Sequence, residues 1–249
     1  MVSIVTPVYN AREYIKETID SVLSQTYQDF EWFLVEDCSS DGTTAYLQEL
    51  LEKLGDSRLH YVQQPSNRGA AEARNRGVEL ASGRYLAFLD ADDLWMPNKL
   101  ERQVKFIEEK DVAFVFTGYE FGDEQARGTG HIVKVPEKLT YPQALKNTTI
   151  FTSTVMFDTE KIAKKDLAMP KIKSEDTALW WKILKQGYMA YGLNENLTVY
   201  RRPAKSLSSN KLEAIRRIWN LYRKQENLGF LYSTWNFCFW AVRAVFRRI

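Results

Sequence analysis

The chain has 249 residues, 45% of them hydrophobic and 27% charged, and a formal net charge of +2 at pH 7. That length buries a substantial core in one α/β domain with a C-terminal appendage, and the composition is that of an ordinary soluble globular protein. The charge is unevenly placed: residues 201–249 hold eleven Lys and Arg against Glu213 and Glu226, about +9, which leaves about −7 for residues 1–200. A net basic charge confined to the tail, without a binding motif, argues against nucleic acid, while the asymmetry suits an anionic surface. Cys38 and Cys238 form no disulfide or metal pattern and fit a reducing cytoplasm. No basic stretch leading into a long apolar one opens the chain, so no signal peptide is expected. Residues 227–242 form an uncharged run of sixteen, short of the roughly 18–20 needed to cross a bilayer.

The first hundred residues alternate strand and helix. Residues 2–6 are a compact apolar strand, after which Asn10 and Glu13 form a capping-box pair ahead of Tyr14, Ile15, Ile19, Val22 and Leu23 at helical spacing. Residues 31–36 predict a second strand. Ser39-Ser40-Asp41-Gly42 then turns the chain into a helix with Tyr46, Leu47, Leu50, Leu51 and Leu54 on one face. A third strand over 59–63 precedes an Ala-rich helix over 70–80. A strand over 85–89 follows, then a helix with Pro97 near its start and Leu100, Val104 and Ile107 inward. Repeated units of this kind predict a mainly parallel sheet covered on both faces, where ligands bind outside the carboxyl ends of the strands.

The polar signals fall on that edge. Pro7-Val8-Tyr9-Asn10 follows the first strand, Glu36-Asp37 the second, and Asp90-Ala91-Asp92-Asp93 the fourth. Three carboxylates at one strand tip repel one another unless a cation or cationic ligand sits there; a solvated acidic turn is the other reading. Tyr9 suits stacking on a base or packing in its turn. Asp37 suits hydrogen bonding to a base or ribose, or capping the next helix. Gly69, in Asn67-Arg68-Gly69, allows close backbone approach, and Arg74 suits pairing with a diphosphate or a plain surface position. The absence of G-x-G-x-x-G and P-loop motifs removes most support from dinucleotide and ATP readings. Further on, Glu175-Asp176 opens a predicted helix containing Trp180 and Trp181. These acids read as a general base or as a favourable N-terminal cap, and the tryptophans as a sugar-facing surface or as packing. Thr152-Ser153-Thr154 reads as strand or loop whose hydroxyls line a polar pocket. His60 and His131 lack catalytic spacing, and Ser and Cys nucleophile motifs are absent.

Taken in order, these motifs resemble the inverting glycosyltransferases of family 2 over roughly residues 1–210. The resemblance runs through Ser3-Ile4-Val5-Thr6-Pro7-Val8-Tyr9-Asn10, Val35-Glu36-Asp37-Cys38-Ser39-Ser40-Asp41-Gly42-Thr43, Asn67-Arg68-Gly69 with Ala73-Arg74-Asn75, Asp90-Ala91-Asp92-Asp93 and Glu175-Asp176. It implies the GT-A fold, a Rossmann-like three-layer α/β sandwich with a mainly parallel mixed sheet, plus C-terminal helices. It also implies that Pro7, Tyr9 and Asp37 form the nucleoside pocket, with Asp37 facing the base; its carboxylate suits the N3–H of uracil and hence a UDP-linked hexose. Asn67, Gly69 and Arg74 match the segment that closes over the nucleotide, and Asp90 and Ala91 lie against the donor. Asp92, with Asp90, is expected to hold Mg²⁺ or Mn²⁺ bridged to the donor diphosphate. Asp176 matches the catalytic base, with Glu175 beside it and Trp180 near the acceptor. Two departures stand out. Glu36-Asp37 replaces the usual Asp-Asp, and the 200–208 loop lacks the His often found near Pro203, which leaves diphosphate contacts there to Arg201, Arg202 or Lys205.

Residues 211–249 are a basic, aromatic tail. Ile215, Ile218, Trp219 and Tyr222 alternate with Arg216, Arg217, Arg223 and Lys224, and a dense apolar run from Phe230 to Phe246 ends in Arg247-Arg248. The pattern fits an interfacial helix on an anionic membrane, or a helix pair packed on the domain or on a second copy in a homodimer. A membrane-peripheral tail is consistent with a saccharide or lipid-linked acceptor in bacterial surface-polysaccharide assembly at the cytoplasmic face of the cell membrane. Two rival readings fare worse. A nucleotidyltransferase needs a Gly- and basic-rich phosphate loop that residues 3–10 lack, and a non-catalytic sugar-nucleotide-binding module leaves Asp176, Asp90 and Asp92 without chemical use.

Overall fold

Alternation along the apolar strands gives a sheet with two buried faces. On β1 (Val2–Val8), Val2, Ile4 and Val8 enter one core cluster and Val5 the other; on β4 (Tyr85–Phe88), Tyr85 and Ala87 join the first and Leu86 and Phe88 the second. A computed structural model describes residues 1–202 and 211–246 of the chain. Strand β1 pairs in parallel with β2 (Phe30–Glu36) and with β4, and β2 in parallel with β3 (Leu59–Gln63). The sheet order is β3-β2-β1-β4-β9-β6-β10-β5. In its second half, β9 (Met156–Asp158) runs antiparallel to β4 and to β6 (Phe114–Gly122), while β10 (Ala190–Arg201) is parallel to β6. The short β5 (Leu94–Trp95) and β8 (Lys138–Leu139) pair antiparallel with β10, and β7 (Gly128–Val133) pairs antiparallel with β6.

Helices cover both faces, giving the three layers expected. Buried residues of α1 (Ile15–Leu23), α2 (Thr43–Leu54) and α4 (Lys99–Lys110) share one cluster, and those of α3 (Ala70–Leu80) and α6 (Glu175–Lys185) the other. Helix α3 approaches β1 so closely that a Cβ at Gly77 would lie 2.3 Å from Val5 Cγ1. A one-turn α5 (Tyr141–Ala144) opens with a capping box between Thr140 and Gln143. The box expected at Asn10 and Glu13 does not form. Asn10 is left-handed at φ 48° and its side chain accepts from the Ser40 N–H, so α1 begins only at Ile15.

The tail packs on the domain through α7 (Lys211–Asn220), a π turn and α8 (Phe230–Phe246). Tyr222 stacks on Trp181 with centroids 5.3 Å apart, and Trp219 meets Phe230 and Phe237 edge-on. No described helix is long and apolar enough to cross a membrane.

Candidate functional site

The carboxyl ends of β1, β2 and β4 converge with the N-terminus of α6 and the end of β10. At the β1 tip Tyr9 stands half exposed beyond Pro7. At the β2 tip Glu36 and Asp37 are buried and have different partners. Glu36 accepts from the Cys38 and Ser39 N–H groups and from Gln63 Nε2. Burial pushes its carboxyl up, but these hydrogen bonds outweigh that and hold it below the usual range. Asp37 accepts from the Arg68 N–H at 2.8 Å and the Gly69 N–H at 2.7 Å, anchoring the loop that carries Asn67 to the strand tip. Gly69 opens α3 at φ 87°, a conformation that favours glycine.

Arg74 is buried between the D-x-D turn and the start of α6. Its side chain is 6% exposed, with one guanidinium nitrogen 2.6 Å from Asp90 Oδ1 and another 2.9 Å from Glu175 Oε1. Burial pulls its charge state down, but Asp90 and Glu175 more than restore it. The guanidinium pairs with two protein carboxylates. It joins the D-x-D turn to α6. Burial and then the neighbouring Asp176 push the Glu175 carboxyl up, with Arg74 offsetting part of the shift.

The three aspartates after β4 separate into different roles. Asp93 is fully buried; its carboxylate accepts from Ser153 Oγ at 2.5 Å and from the Arg201 N–H at 3.1 Å. Ser153 Oγ in turn accepts from the Asp90 N–H. Ala91, expected against the donor, is 8% exposed and its carbonyl accepts from Thr18 Oγ1. That leaves Asp90 and Asp92 to meet a ligand. Burial, then the Asp90 charge, push the Asp92 carboxyl up to about 6, against smaller opposing effects from its own N–H, Arg201 and Arg74. A carboxylate so placed gains most from a cation. Among the described residues no group of three or more His, Cys, Asp or Glu is arranged to hold a metal. Two carboxylates still fit a divalent ion completed by phosphate oxygens, the usual way Mg²⁺ is held with a nucleotide.

Asp176 sits in the first turn of α6, accepting from Thr152 Oγ1 at 3.0 Å and the Thr177 N–H at 2.6 Å. Thr152-Ser153-Thr154 forms a buried 3₁₀ turn, so its hydroxyls do serve the site, Thr152 at Asp176 and Ser153 at the D-x-D. Beyond Asp176 opens a cavity of about 220 Å³ lined by Tyr119, Phe121, Phe151, Tyr200 and Trp240. None of these aromatics is marked by a local motif; β6, the residue before the 3₁₀ turn, β10 and α8 assemble them from distant positions. Trp180, expected near the acceptor, is instead 2% exposed and packed against Phe88, Phe114 and Phe157, because the strand faces beneath α6 leave its ring nowhere else to go. A second cleft, about 270 Å³, lies between Gly69 and Ala71 on one side and Lys171 and Glu175 on the other, with Arg68 at its edge.

Of the cations considered for the diphosphate, Arg201 is 2% exposed and committed to protein oxygens, and Arg202 lies over the Phe121 ring at 4.9 Å. Lys205, like the rest of 203–210, lies outside the described residues.

Residues 3–165 match the family model described as "Glycosyl transferase family 2". A protein of Bacillus subtilis named as a teichuronic acid biosynthesis glycosyltransferase, TuaG, is 46% identical over 250 residues, covering 100% of this chain and 98% of that protein. The Escherichia coli UDP-Glc:α-D-GlcNAc-diphosphoundecaprenol β-1,3-glucosyltransferase WfaP is 36% identical, covering 90% of this chain and 86% of that one. Among solved structures, S. aureus TarS 1–349 with UDP-GlcNAc superposes with a TM-score of 0.67 at 22% identity, over 90% of this chain and 66% of the other. A mannosyltransferase of Pyrobaculum calidifontis, solved with GDP-Man and Mn²⁺, gives 0.71 at 22% identity, over 92% and 64%. Those two likenesses are of fold, and the fold is the GT-A type expected. On the family model and on relatives that align along nearly its whole length, the chain belongs to the family 2 glycosyltransferases.

Proposed function

We propose that this enzyme transfers a hexose from a UDP-linked donor, with inversion, to a hydroxyl of a saccharide carried on a lipid diphosphate, in the building of a cell-surface polysaccharide. The observation that supports it best is the division of the site. Asp90 and Asp92 stand on one side, and Asp176 faces an aromatic-walled cavity on the other. Aromatic faces suit the apolar face of a sugar ring. The donor and lipid-linked acceptor classes are those in the name of the WfaP relative, and the TuaG relative is named for teichuronic acid biosynthesis.

In this reading the nucleoside lies over Pro7, Tyr9 and Asp37, whose carboxylate retains acceptor capacity beyond its two loop bonds. Asn67 and Gly69 border the nucleotide. Asp92 and Asp90 would hold Mn²⁺ or Mg²⁺, which when bound supplies Lewis-acid neutralisation of the leaving diphosphate. Arg68 and Lys171, at the cleft beside Gly69, would add positive charge to that of Arg74. Asp176 takes the proton of the acceptor hydroxyl as its oxygen attacks the anomeric carbon from the face opposite the diphosphate. Glu175, paired with Arg74, positions rather than reacts. A single displacement inverts the configuration. The tail from residue 211 keeps the enzyme at the inner face of the cell membrane.

The test is release of nucleoside diphosphate from UDP-, GDP- and dTDP-sugars, with a lipid-linked saccharide present and with EDTA as control. One donor, metal dependence and loss on Asp92→Ala are expected. Asp176→Asn should lower kcat by about 10²–10⁴-fold while leaving donor affinity near wild type. Full turnover in that variant would remove Asp176 as base.

A further inference from the structure

Helix α8 buries two polar side chains on its inner face, beside the partly buried Phe237 and Trp240, and turns an apolar stripe outward. Ser233 and Asn236 are fully buried, and their hydrogen bonds go to the carbonyls of Gly229, just before the helix, and of Tyr232. The opposite face carries Leu231, 83% exposed, with Trp235 at 57% and Val242 at 55%. Phe239 completes that stripe, since steps of four, four and three residues keep side chains on one helical face. A surface helix in water turns polar residues outward, which this stripe does not. At 17 residues the helix is about 25 Å long, and none of the described helices is fit to span a bilayer.

Charge identifies what covers the stripe. Residues 227–246 contain no Asp or Glu. The Lys146 ammonium lies 5.3 Å from the centroid of the Phe239 ring, and Arg243 reaches the Lys146 carbonyl, so cations border the apolar face. A second copy offers the same basic rim, not a complementary acidic one; anionic headgroups are complementary.

We propose that α8 lies in the interface of an anionic bilayer, with Leu231, Trp235, Phe239 and Val242 toward the acyl chains and Lys146 and Arg243 at the headgroups. The inward face of the same helix supplies Trp240 to the cavity beside Asp176. One helix thereby seats the enzyme on the membrane and walls the acceptor cavity. This deepens the acceptor reading above, which it presupposes only for its purpose.

The experiment is sedimentation of the full chain with vesicles of phosphatidylcholine, alone or mixed with phosphatidylglycerol, for wild type and for Leu231→Glu/Trp235→Glu. Wild type should partition onto the mixed vesicles at least about tenfold better than onto neutral ones, less so as salt rises. The double variant should lose about tenfold or more. Both substituted side chains are largely exposed, so the variant should fold, and nucleotide release with a water-soluble acceptor analogue should stay at the wild-type level. That readout separates failure of docking from failure of the transferase reading. Equal vesicle binding by both proteins would overturn the proposal. So would a wild type that ignores vesicles but forms a dimer that the double variant breaks, which would make the stripe a contact between copies.

Discussion

Arg201 Nε donates to the backbone carbonyl of Asp92 at 2.7 Å, so the last residue of β10 holds the turn that presents the D-x-D. The grip is multiple. Its own N–H reaches the Asp93 carboxylate, one terminal nitrogen donates to the Glu124 carbonyl, the other pairs with Glu17, and the guanidinium lies over Tyr14. A planar fork of donors can do this; an ammonium cannot.

Arg201→Lys keeps the charge and loses most of these bonds. Residues that orient metal-binding carboxylates from behind typically matter by 10–100-fold. Calorimetric titration with UDP and Mn²⁺ should show affinity down by about that factor, with the far-ultraviolet circular dichroism unchanged. Wild-type affinity would mean that the Asp92 turn holds itself.

Arg74 supports a second prediction. It is buried between Asp90 and Glu175, with Asp176 next along the helix, so removing it strands acidic groups in a low-dielectric place. Arg74→Met should cost about 3–5 kcal/mol in denaturant unfolding. Adding Glu175→Gln should recover part of that, because one uncompensated carboxylate is gone. If the second change makes matters worse, the triad is held by something other than charge.

Most strands and helices of the first hundred residues are legible because their apolar periods are clean, the two-residue β5 being the exception, and so are the strand tips that the fold brings to one edge. Helix α3 begins and ends where the Ala-rich pattern does, at Ala70 and Leu80. Partnerships were less visible. Arg74 and Arg201 both read as cations for a diphosphate, and their protein partners, 16 to 184 residues away in the chain, carry no sequence signal. Trp180 and Trp240 illustrate the same gap from opposite sides. One belongs to a motif but is packed in the core, whereas the other has no motif and reaches the cavity, because helix rotation against a sheet is settled by packing.

Glu36 gives a pH dependence with a definite sign. Its carboxyl is held below its ordinary 4.5 by the hydrogen bonds from Ser39, Gln63 and Cys38, so ionised Glu36 stabilises the fold above that pH. The contribution disappears as pH falls from there through its lowered folded value. Glu36→Gln cannot accept all three donors and should cost about 1–3 kcal/mol at neutral pH. Melting curves for both proteins should lie a few degrees apart at pH 7 and draw together below 4.5. A constant gap across the range would show that shape, not charge, is what the site needs.

Trp240 offers the sharpest separation of acceptor from donor binding. Its indole N–H donates to Thr148 Oγ1 at 3.0 Å and its ring packs beside Phe237, which fixes the side chain as a wall of the cavity holding Asp176. In the proposed reading it belongs to the acceptor side alone. Trp240→Ala opens that wall and removes an aromatic face worth about 0.5–1.5 kcal/mol beyond its buried area. The acceptor KM should therefore rise about tenfold or more, with the KM for the donor unchanged. Trp240→Phe should restore most of the loss, since a ring remains although the bond to Thr148 does not. Steady-state kinetics with each substrate varied in turn reads both constants. A rise in the donor KM instead, or no change in either, would place the acceptor elsewhere than against the Tyr119, Phe151 and Tyr200 aromatics.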